Sequence, residues 1–370
     1  MKFLILTYEI FPRPGGIQRY IHIFSKTLSK IFGQENVFVV PISGKHYKSN
    51  EYNLVSKIMK LPRRLKRFLA YYFFSFLCRE NRPDLIIFNH INFFTYGWIA
   101  RKLKIPYQVI VYGSEVWGNL GKFKTRFLEN ASAIISISEF TKKCLINSGI
   151  DTEKIKLLHF GIDMEEFRIL PSEKNPLRII SKNILLSVCR LEGSERHKGY
   201  DKIIEILPDL SQEFTDIKYI VIGDGTDKTR IMNLAKELGV FDKLVLPGAI
   251  TDVNTLVNYY NLCDIFVMPS YFCISKDRVI GEGFGFVYLE AAACGKPVIA
   301  GKGGGCPEAI EDGVSGFLVD PNDKKGLYET IVKLLRDKEL AKKMGAAGRK
   351  RVEENFSYEV FLKKVKEIFL

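Results

Sequence analysis

Cysteine is sparse and unpaired in this 370-residue sequence: seven residues, at 78, 144, 189, 263, 273, 294 and 306, with no C-x-x-C among them. An odd count without paired spacing argues against a disulfide framework and makes a reducing, cytoplasmic compartment the default. Several sit in apolar runs, as Cys263 does in YNLCDIFVMP, where the thiol behaves as a small hydrophobe. Long hydrophobic runs are missing as well. The longest, FLAYYFFSFLC at 68–78, is far short of the ~20 residues a membrane-spanning helix needs. The opening MKFLILTYEIFP meets Glu9 early and reads as a first strand rather than a signal peptide.

Familiar nucleotide and metal signatures are also lacking. Gly-Lys pairs at 44–45, 121–122, 295–296 and 301–302 are never followed by Ser or Thr, which sets aside P-loop hydrolysis. After YIVIG comes Gly223-Asp224-Gly225, but Lys228 stands where a dinucleotide fingerprint has its third glycine, so nicotinamide chemistry has little support. There is no D-x-D pair to hold a divalent metal on a diphosphate, and the five histidines have no zinc-like spacing, so no metal site is expected.

Basic charge, by contrast, is abundant. Fifty-five Lys and Arg against 42 Asp and Glu leave a formal charge of +13, which points to an acidic partner. Nucleic acid, anionic lipid and a phosphate-bearing substrate all qualify on charge alone. No recognition-helix or single-strand-binding signature accompanies the charge, so no nucleic-acid partner is expected. Composition is otherwise that of a globular protein, 46% hydrophobic and 26% charged, with length for two domains.

Short apolar runs rich in β-branched residues recur along the chain. KFLILTY (2–8), VFVVPI (37–42), DLIIFN (84–89), YQVIVY (107–112), AIISIS (133–138) and IKLLHF (155–160) read as buried strands. Between the first two, Ile17, Tyr20, Ile21, Phe24, Leu28 and Ile31 keep helical spacing. Residues 163–182 break the alternation with two prolines and mixed charge, and read as a linker. Alternation restarts with NILLSVCR (183–190), IKYIVIG (217–223), KLVLPG (243–248), DIFVMPS (264–270), PVIAG (297–301) and GFLVD (316–320). Helical patterns near 199–210, 227–239, 251–262, 286–294 and 323–335 separate these runs, and 337–370 reads as helical almost throughout. Continuous rather than alternating apolar strands between helices imply parallel sheets covered on both faces. The expected fold is α/β, two Rossmann-like doubly wound domains facing across a cleft. Ligands in such sheets bind at the strand ends.

Two glycine-bearing loops follow strands. Pro12-Arg13-Pro14-Gly15-Gly16 joins the first strand to the first helix. Gly15 and Gly16 suit either backbone amides approaching a phosphate or a tight strand-to-helix turn. Residues 268–308, MPSYFCISKDRVIGEGFGFVYLEAAACGKPVIAGKGGGCPE, place Glu282 and Glu290 eight apart around a glycine-led helix start. Amides at 284–287 there suit an anionic or polyhydroxyl ligand. Glu282 can accept hydrogen bonds from sugar hydroxyls, and Glu290 can reach a ribose. A solvated helix face is the plainer reading of either carboxylate alone.

At this stretch the sequence resembles the retaining, nucleotide-sugar-dependent glycosyltransferases of family four, with the GT-B fold. Glu282–Glu290 matches the family's E-x7-E signature. CRLEGSERHKGYDKII (189–204) is similar to its GRL…KG segment, which places Arg190 and Lys198 on the donor diphosphate. LPGAITDVNTLVNYYNLCDIFVMPS (246–270) resembles the segment lining the nucleobase, with Gly248 and Ile250 as donor-binding candidates. FGID (160–163) fits too. The resemblance adds Gly15, Gly16, Gly223, Phe284, Gly285, Phe286, Val287 and Glu290 to the donor site, and gives the catalytic candidates Arg190, Lys198, Glu282 and Tyr112. It implies an acceptor domain over 1–165, a donor domain over 166–353 and a C-terminal helix, 354–370, crossing back to the first. Acceptor contacts fall in loops 9–16, 43–60 and 89–97.

Within the family, the insertion between PS and EGFG and the run GGGCPE look most like the phosphatidylinositol mannosyltransferase and bacterial polysaccharide mannosyltransferase branch. GDP-mannose is then the implied donor and a lipid-linked or polysaccharide the implied acceptor, with no cofactor beyond the donor. A UDP-sugar donor on the same skeleton stays open, as does a catalytically inactive sugar-nucleotide-binding regulator. One position departs from the pattern: VYGSEVWG has Tyr112 where the family commonly places a His, and a phenol is a poor proton shuttle at neutral pH. Residues 56–78 hold Lys57, Lys60, Arg63, Arg64, Lys66 and Arg67, followed by crowded aromatics. They read either as an interfacial element on an anionic bilayer, giving a peripheral protein at the inner face of the cell membrane, or as helices with a buried aromatic face.

Overall fold

The computed structural model describes the chain except residues 9–14, 43–62, 172–176, 178, 180 and 275–278. It divides into two compact units, Met1–His159 with Leu362–Leu370, and Phe160–Phe361. The sequence reading set the boundary at 165/166 and the return at 354. The physical reason for the earlier boundary lies in residues 162–171, which pack as part of the second unit. Ile162 bridges to Ser357, Phe167 is buried against Tyr260, and the Asn261 side chain bonds the backbone at Arg168 and Leu170. That stretch of the expected linker is therefore held in place.

In the first unit, β1 (Phe3–Thr7), β2 (Val37–Pro41), β3 (Leu85–Phe88), β4 (Tyr107–Val111), β5 (Ala133–Ser136) and β6 (Ile155–Leu157) form a parallel sheet in the order β2-β1-β3-β4-β5-β6. Strands β1, β3, β4 and β5 are buried at every residue, which explains why they lack polar alternation. Helices α1 (Gly16–Phe32), α2 (Arg63–Asn81), α3 (Phe94–Lys102), α4 (Gly121–Glu129) and α5 (Glu139–Asn147) connect them. In α1 the helical stripe is realised, with Tyr20, Ile21, Phe24 and Leu28 buried. At the chain's end Phe369 packs on Phe3 and Phe24.

The second unit repeats the plan. Its strands β7 (Asn183–Val188), β8 (Ile217–Ile222), β9 (Leu244–Gly248), β10 (Ile265–Met268), β13 (Val298–Gly301) and β14 (Gly316–Val319) are ordered β14-β13-β10-β7-β8-β9. A short antiparallel pair, β11 (Cys273–Ile274) and β12 (Val279–Ile280), occupies the insertion after β10. Helices α6 (Tyr200–Glu213), α7 (Lys228–Glu237), α8 (Val253–Leu262), α9 (Phe286–Ala293), α10 (Cys306–Ala309) and α11 (Lys324–Arg336) cover the sheet. The tail forms α12 (Lys338–Asn355) and α13 (Tyr358–Phe369). The first strand of this unit, β7, lies beside its fourth, β10. Order reverses there, because the chain leaves β7 toward one edge of the sheet and later returns to build the other. In doubly wound sheets that reversal opens a ligand crevice at the strands' carboxyl ends.

Candidate active site

The loops leaving β7 and β10 meet at this switch point. The Lys198-Gly199 pair ends a 3-10 turn (Gly193–Lys198), and Gly199 adopts φ +76° with its α-carbon against the β10 loop. A Cβ there would stand 2.4 Å from the Pro269 carbonyl oxygen, so only glycine lets the loops touch. The contact brings the Lys198 ammonium onto the Glu282 carboxylate, a buried ion pair 84 residues apart in sequence. Burial by itself pushes the Glu282 carboxyl up and the Lys198 ammonium down. Their mutual attraction overrides it: Glu282 is held below the usual carboxylate range and Lys198 above its ordinary value. Both are charged at neutral pH.

Arg190 follows β7, is 62% exposed at its side chain, and pairs with Glu195. It lies close enough to Glu282 to favour the ionised carboxylate. The loop after β8 lies against the same segment. Leu191 N–H donates to the Asp224 carbonyl at 3.0 Å, and Gly223 N–H donates to Gly248 at 3.0 Å. Gly223, Gly248 and Arg190 therefore line up along the ends of β8, β9 and β7. Ile250 is half-buried two residues beyond β9.

Glu282 is clamped from the other side by the glycine run after β13. Gly305 N–H donates to the Glu282 carbonyl at 2.8 Å, and a Cβ on Gly305 would lie 2.1 Å from the Gly283 oxygen. The run GGGCPE, noticed in sequence only as a subgroup cue, thus sets the height of the Glu282 loop. Gly285, at φ +90°, starts α9. Phe284 is buried among Phe286 and Phe356, while Phe286 stacks on Phe160 and Val287 is half-buried. Glu290 is only 2% exposed and accepts a 2.7 Å hydrogen bond from Tyr260 on α8.

Gly15, Gly16 and Tyr112 belong to the first unit. Gly15 is extended and precedes α1, whose Arg19 N–H donates to its carbonyl. Pro12, Arg13 and Pro14 lie outside the described residues, as do the rest of 9–14 and the whole of loop 43–60. Tyr112, just past β4, is 6% exposed, with its hydroxyl donating to Asn89 and its N–H to Glu115. Burial, with Tyr20 and Glu115 adding to it, raises its phenol well above the ordinary value, so it stays neutral. On the adjoining strand end, His90 accepts from Asn92 N–H at Nδ1 and packs edge-on to Tyr8, which continues β1. Sequence reading placed His90 only within a loop. Its position beside β1 requires the strand order.

Two further features escaped the motif reading. His197, between Arg196 and Lys198, is 9% exposed with no hydrogen-bond partner at Nδ1, and burial beside Lys198 lowers its pKa to about 4. Asp227, 2% exposed, accepts from Tyr200 at 2.8 Å and pairs with Arg196 and Arg230, bracing the loop after β8. Only chain adjacency to the HKG and GDG runs could have signalled either. Among the described residues, no group of three His, Cys, Asp or Glu is placed to hold a metal ion.

Comparison with known proteins bears on the family and the fold. The family pattern described as "Glycosyl transferases group 1" matches residues 172–351, and "Glycosyltransferase Family 4" matches 14–166. A GDP-mannose-dependent α-(1-6)-phosphatidylinositol monomannoside mannosyltransferase of Mycolicibacterium smegmatis is 29% identical over 67% of this chain. The match spans 65% of that relative's length, just under two thirds. A GDP-mannose-dependent monoacylated α-(1-6)-phosphatidylinositol monomannoside mannosyltransferase of Corynebacterium glutamicum is 27% identical over 99% of this chain and 97% of its own. Among solved structures, Anabaena HepE in complex with UDP superposes with a TM-score of 0.79 at 19% identity, covering 100% of this chain and 99% of that one. Sucrose-phosphate synthase from Thermosynechococcus elongatus gives a TM-score of 0.78 at 20% identity, covering 100% and 98%. With two parallel six-stranded sheets and family matches that run almost end to end, the chain has the two-domain α/β GT-B fold and belongs to the family-four glycosyltransferases.

Proposed function

We propose that this protein is a retaining glycosyltransferase that moves mannose from GDP-mannose onto a lipid-linked or polysaccharide acceptor. The observation carrying the reading is the Lys198–Glu282 pair at the switch point of the second unit, with Arg190 beside it. Breaking the anomeric C–O bond of a nucleotide sugar builds negative charge on the diphosphate. Arg190 offers that charge a planar fork and Lys198 a point charge. One well-placed donor of this kind is typically worth roughly 3–4 kcal/mol. Glu282 keeps Lys198 protonated and oriented, and its other oxygen is the acceptor for hydroxyls of the transferred sugar. Glu290 and the strand-end residues Gly223, Gly248 and Ile250 take the nucleoside side, with Gly285, Phe286 and Val287 at the start of α9. Attack is proposed on the face from which the leaving group departs, with a diphosphate oxygen taking the acceptor's proton. Tyr112, neutral and committed to Asn89, serves to position the strand end rather than to carry a proton.

The relatives named for GDP-mannose support the mannosyl donor. The UDP bound to HepE supports the alternative, a UDP-sugar donor on the same skeleton. The acceptor is reached, in this reading, at an anionic membrane surface through residues 56–78. Lys57 and Lys60 and the side chains of Arg63, Arg64, Lys66 and Arg67 lie outside the described residues. No helix among the described residues is long and apolar enough to cross a membrane. The test is a thermal-shift panel with GDP, UDP, ADP, GDP-mannose and UDP-glucose without added metal. A ligand at ~100 times its Kd contributes about 2.7 kcal/mol, enough for a shift of a few degrees. Selective stabilisation by GDP and GDP-mannose is expected. A UDP-selective response overturns the mannosyl donor but not the enzyme class, and silence from every nucleotide favours a different protein class.

A further inference from the structure

The first unit carries an apolar surface that plays no part in the site described above. A groove of about 1240 Å³ runs between α2, α3 and α4. Its floor is built: Tyr107 and Phe127 stack at 5.1 Å between ring centres, and Tyr107 donates to the Phe127 carbonyl at 2.7 Å. Tyr71 packs on Tyr96 at 5.0 Å, fixing α2 to α3. The rim, however, is exposed. Phe123 is 80% exposed, Tyr72 69% and Trp98 58%, three of the five most exposed large apolar side chains among the described residues. Three aromatic rings gathered on one face, rather than scattered singly, mark a surface that something apolar covers.

Charge decides what covers it. The groove is lined by Arg101, Lys102 and Arg126 and by no Asp or Glu, and Lys102 Nζ sits 3.9 Å over the Trp98 ring. Lys122 and Lys124 flank Phe123 on α4. Amphipathic aromatics beside lysine and arginine are the composition that rests at the headgroup level of an anionic bilayer, rings among the acyl boundary and cations on the phosphates. We propose that the α2–α3–α4 face, with Trp98, Phe123 and Tyr72 as its inserting side chains, is the surface by which this protein docks on an anionic lipid bilayer. The proposal deepens the membrane reading of residues 56–78 by moving the inserting contacts onto α3 and α4, and it needs neither a particular donor nor a particular acceptor.

The sequence contains two tryptophans, and they report separately. Trp117 is 8% exposed with its indole N–H donated to Thr141, so only Trp98 can move from water into lipid. The full-length protein is titrated with phosphatidylglycerol-rich vesicles and with pure phosphatidylcholine vesicles while emission and co-sedimentation are followed. On anionic vesicles the emission is expected to shift to the blue, and the Trp98→Phe variant to lose that shift. The pair Trp98→Ser with Phe123→Ser is expected to lower the partition coefficient about tenfold or more, since both side chains are surface-exposed and their removal leaves the floor intact. Unchanged partitioning of that pair, with binding lost instead on replacing Arg63, Arg64, Lys66 and Arg67 by Gln, overturns this proposal and leaves the 56–78 reading standing. No binding by the wild-type protein overturns both. A blue shift produced by raising protein concentration without vesicles assigns the face to a second copy of this chain and equally overturns it.

Discussion

Removing one member of the Lys198–Glu282 pair is expected to cost more stability than removing both, while activity is lost in every case. The two side chains are only 16% and 14% exposed, so neither charge can recover its water shell when its partner goes. Breaking a buried pair typically costs about 3–5 kcal/mol. The residual exposure lowers that to roughly 2–4 kcal/mol for Lys198→Met or Glu282→Gln alone. In Lys198→Met the carboxyl loses the ammonium that holds its pKa down, and burial then pushes that pKa upward. The double variant leaves no uncompensated charge and is expected to lose less than either single, so the coupling recovered relative to the sum exceeds the roughly 2–4 kcal/mol of one single. Urea melts of the four proteins measure this coupling, and product formation from a nucleotide sugar measures the chemistry. Additive losses would show that the two side chains do not act as a pair. A stable double variant that still transfers sugar would remove both from the reaction and sink the proposed role.

The remaining expectations concern the frame around that pair. His197 titrates near 4 in the folded chain and near 6.5 when unfolded, so the unfolded state takes up the proton first as pH falls. Its contribution is complete above pH 6.5 and is lost between there and about 4, amounting to roughly 3 kcal/mol. Denaturant melts across that range should flatten in His197→Gln; an identical slope would refute the assignment. Gly305→Ala, whose Cβ would meet the Gly283 oxygen at 2.1 Å, is expected to displace the Glu282 loop, costing about 1–3 kcal/mol and most of the transfer activity. Wild-type kinetics in that variant would mean the clamp is dispensable. Asp227→Ala leaves the buried Tyr200 hydroxyl and Arg196 without their acceptor, while Arg230 keeps Asp201, and should cost about 1–3 kcal/mol by calorimetry. A loss below half a kcal/mol would show that the two arginines find water as readily as they find Asp227.

Much of the architecture was legible because buried parallel strands leave a direct mark on composition. LIIF is apolar at every position and FLILT at all but its last, since both faces of the sheet are covered, and no surface pattern competes with that signal. The α1 stripe was legible for the same reason at helical spacing. Residues 162–171 misled because what holds them is a distant side chain, Asn261, and a bridge to Ser357, neither visible locally. The insertion after β10 gave no hint of its β11–β12 pair, since two-residue strands are too short for periodicity to register.

Chemistry was legible wherever it depended on residue type and spacing. Glu282 and Glu290 could be singled out as candidates by their spacing around a glycine-led helix start, and Arg190 and Lys198 only through the resemblance of residues 189–204 to the family's segment. Which carboxylate meets which cation was decided by the strand order, which sets β7 beside β10 and so carries Lys198 to Glu282 across 84 positions of chain. The same packing buried Glu290 against Tyr260, committed Tyr112 to Asn89, and gathered Tyr72, Trp98 and Phe123 from three helices onto one face. A sequence determines what each side chain can do. Desolvation and pairing are properties of neighbours, and neighbours far apart in the chain exist only once the sheets have formed.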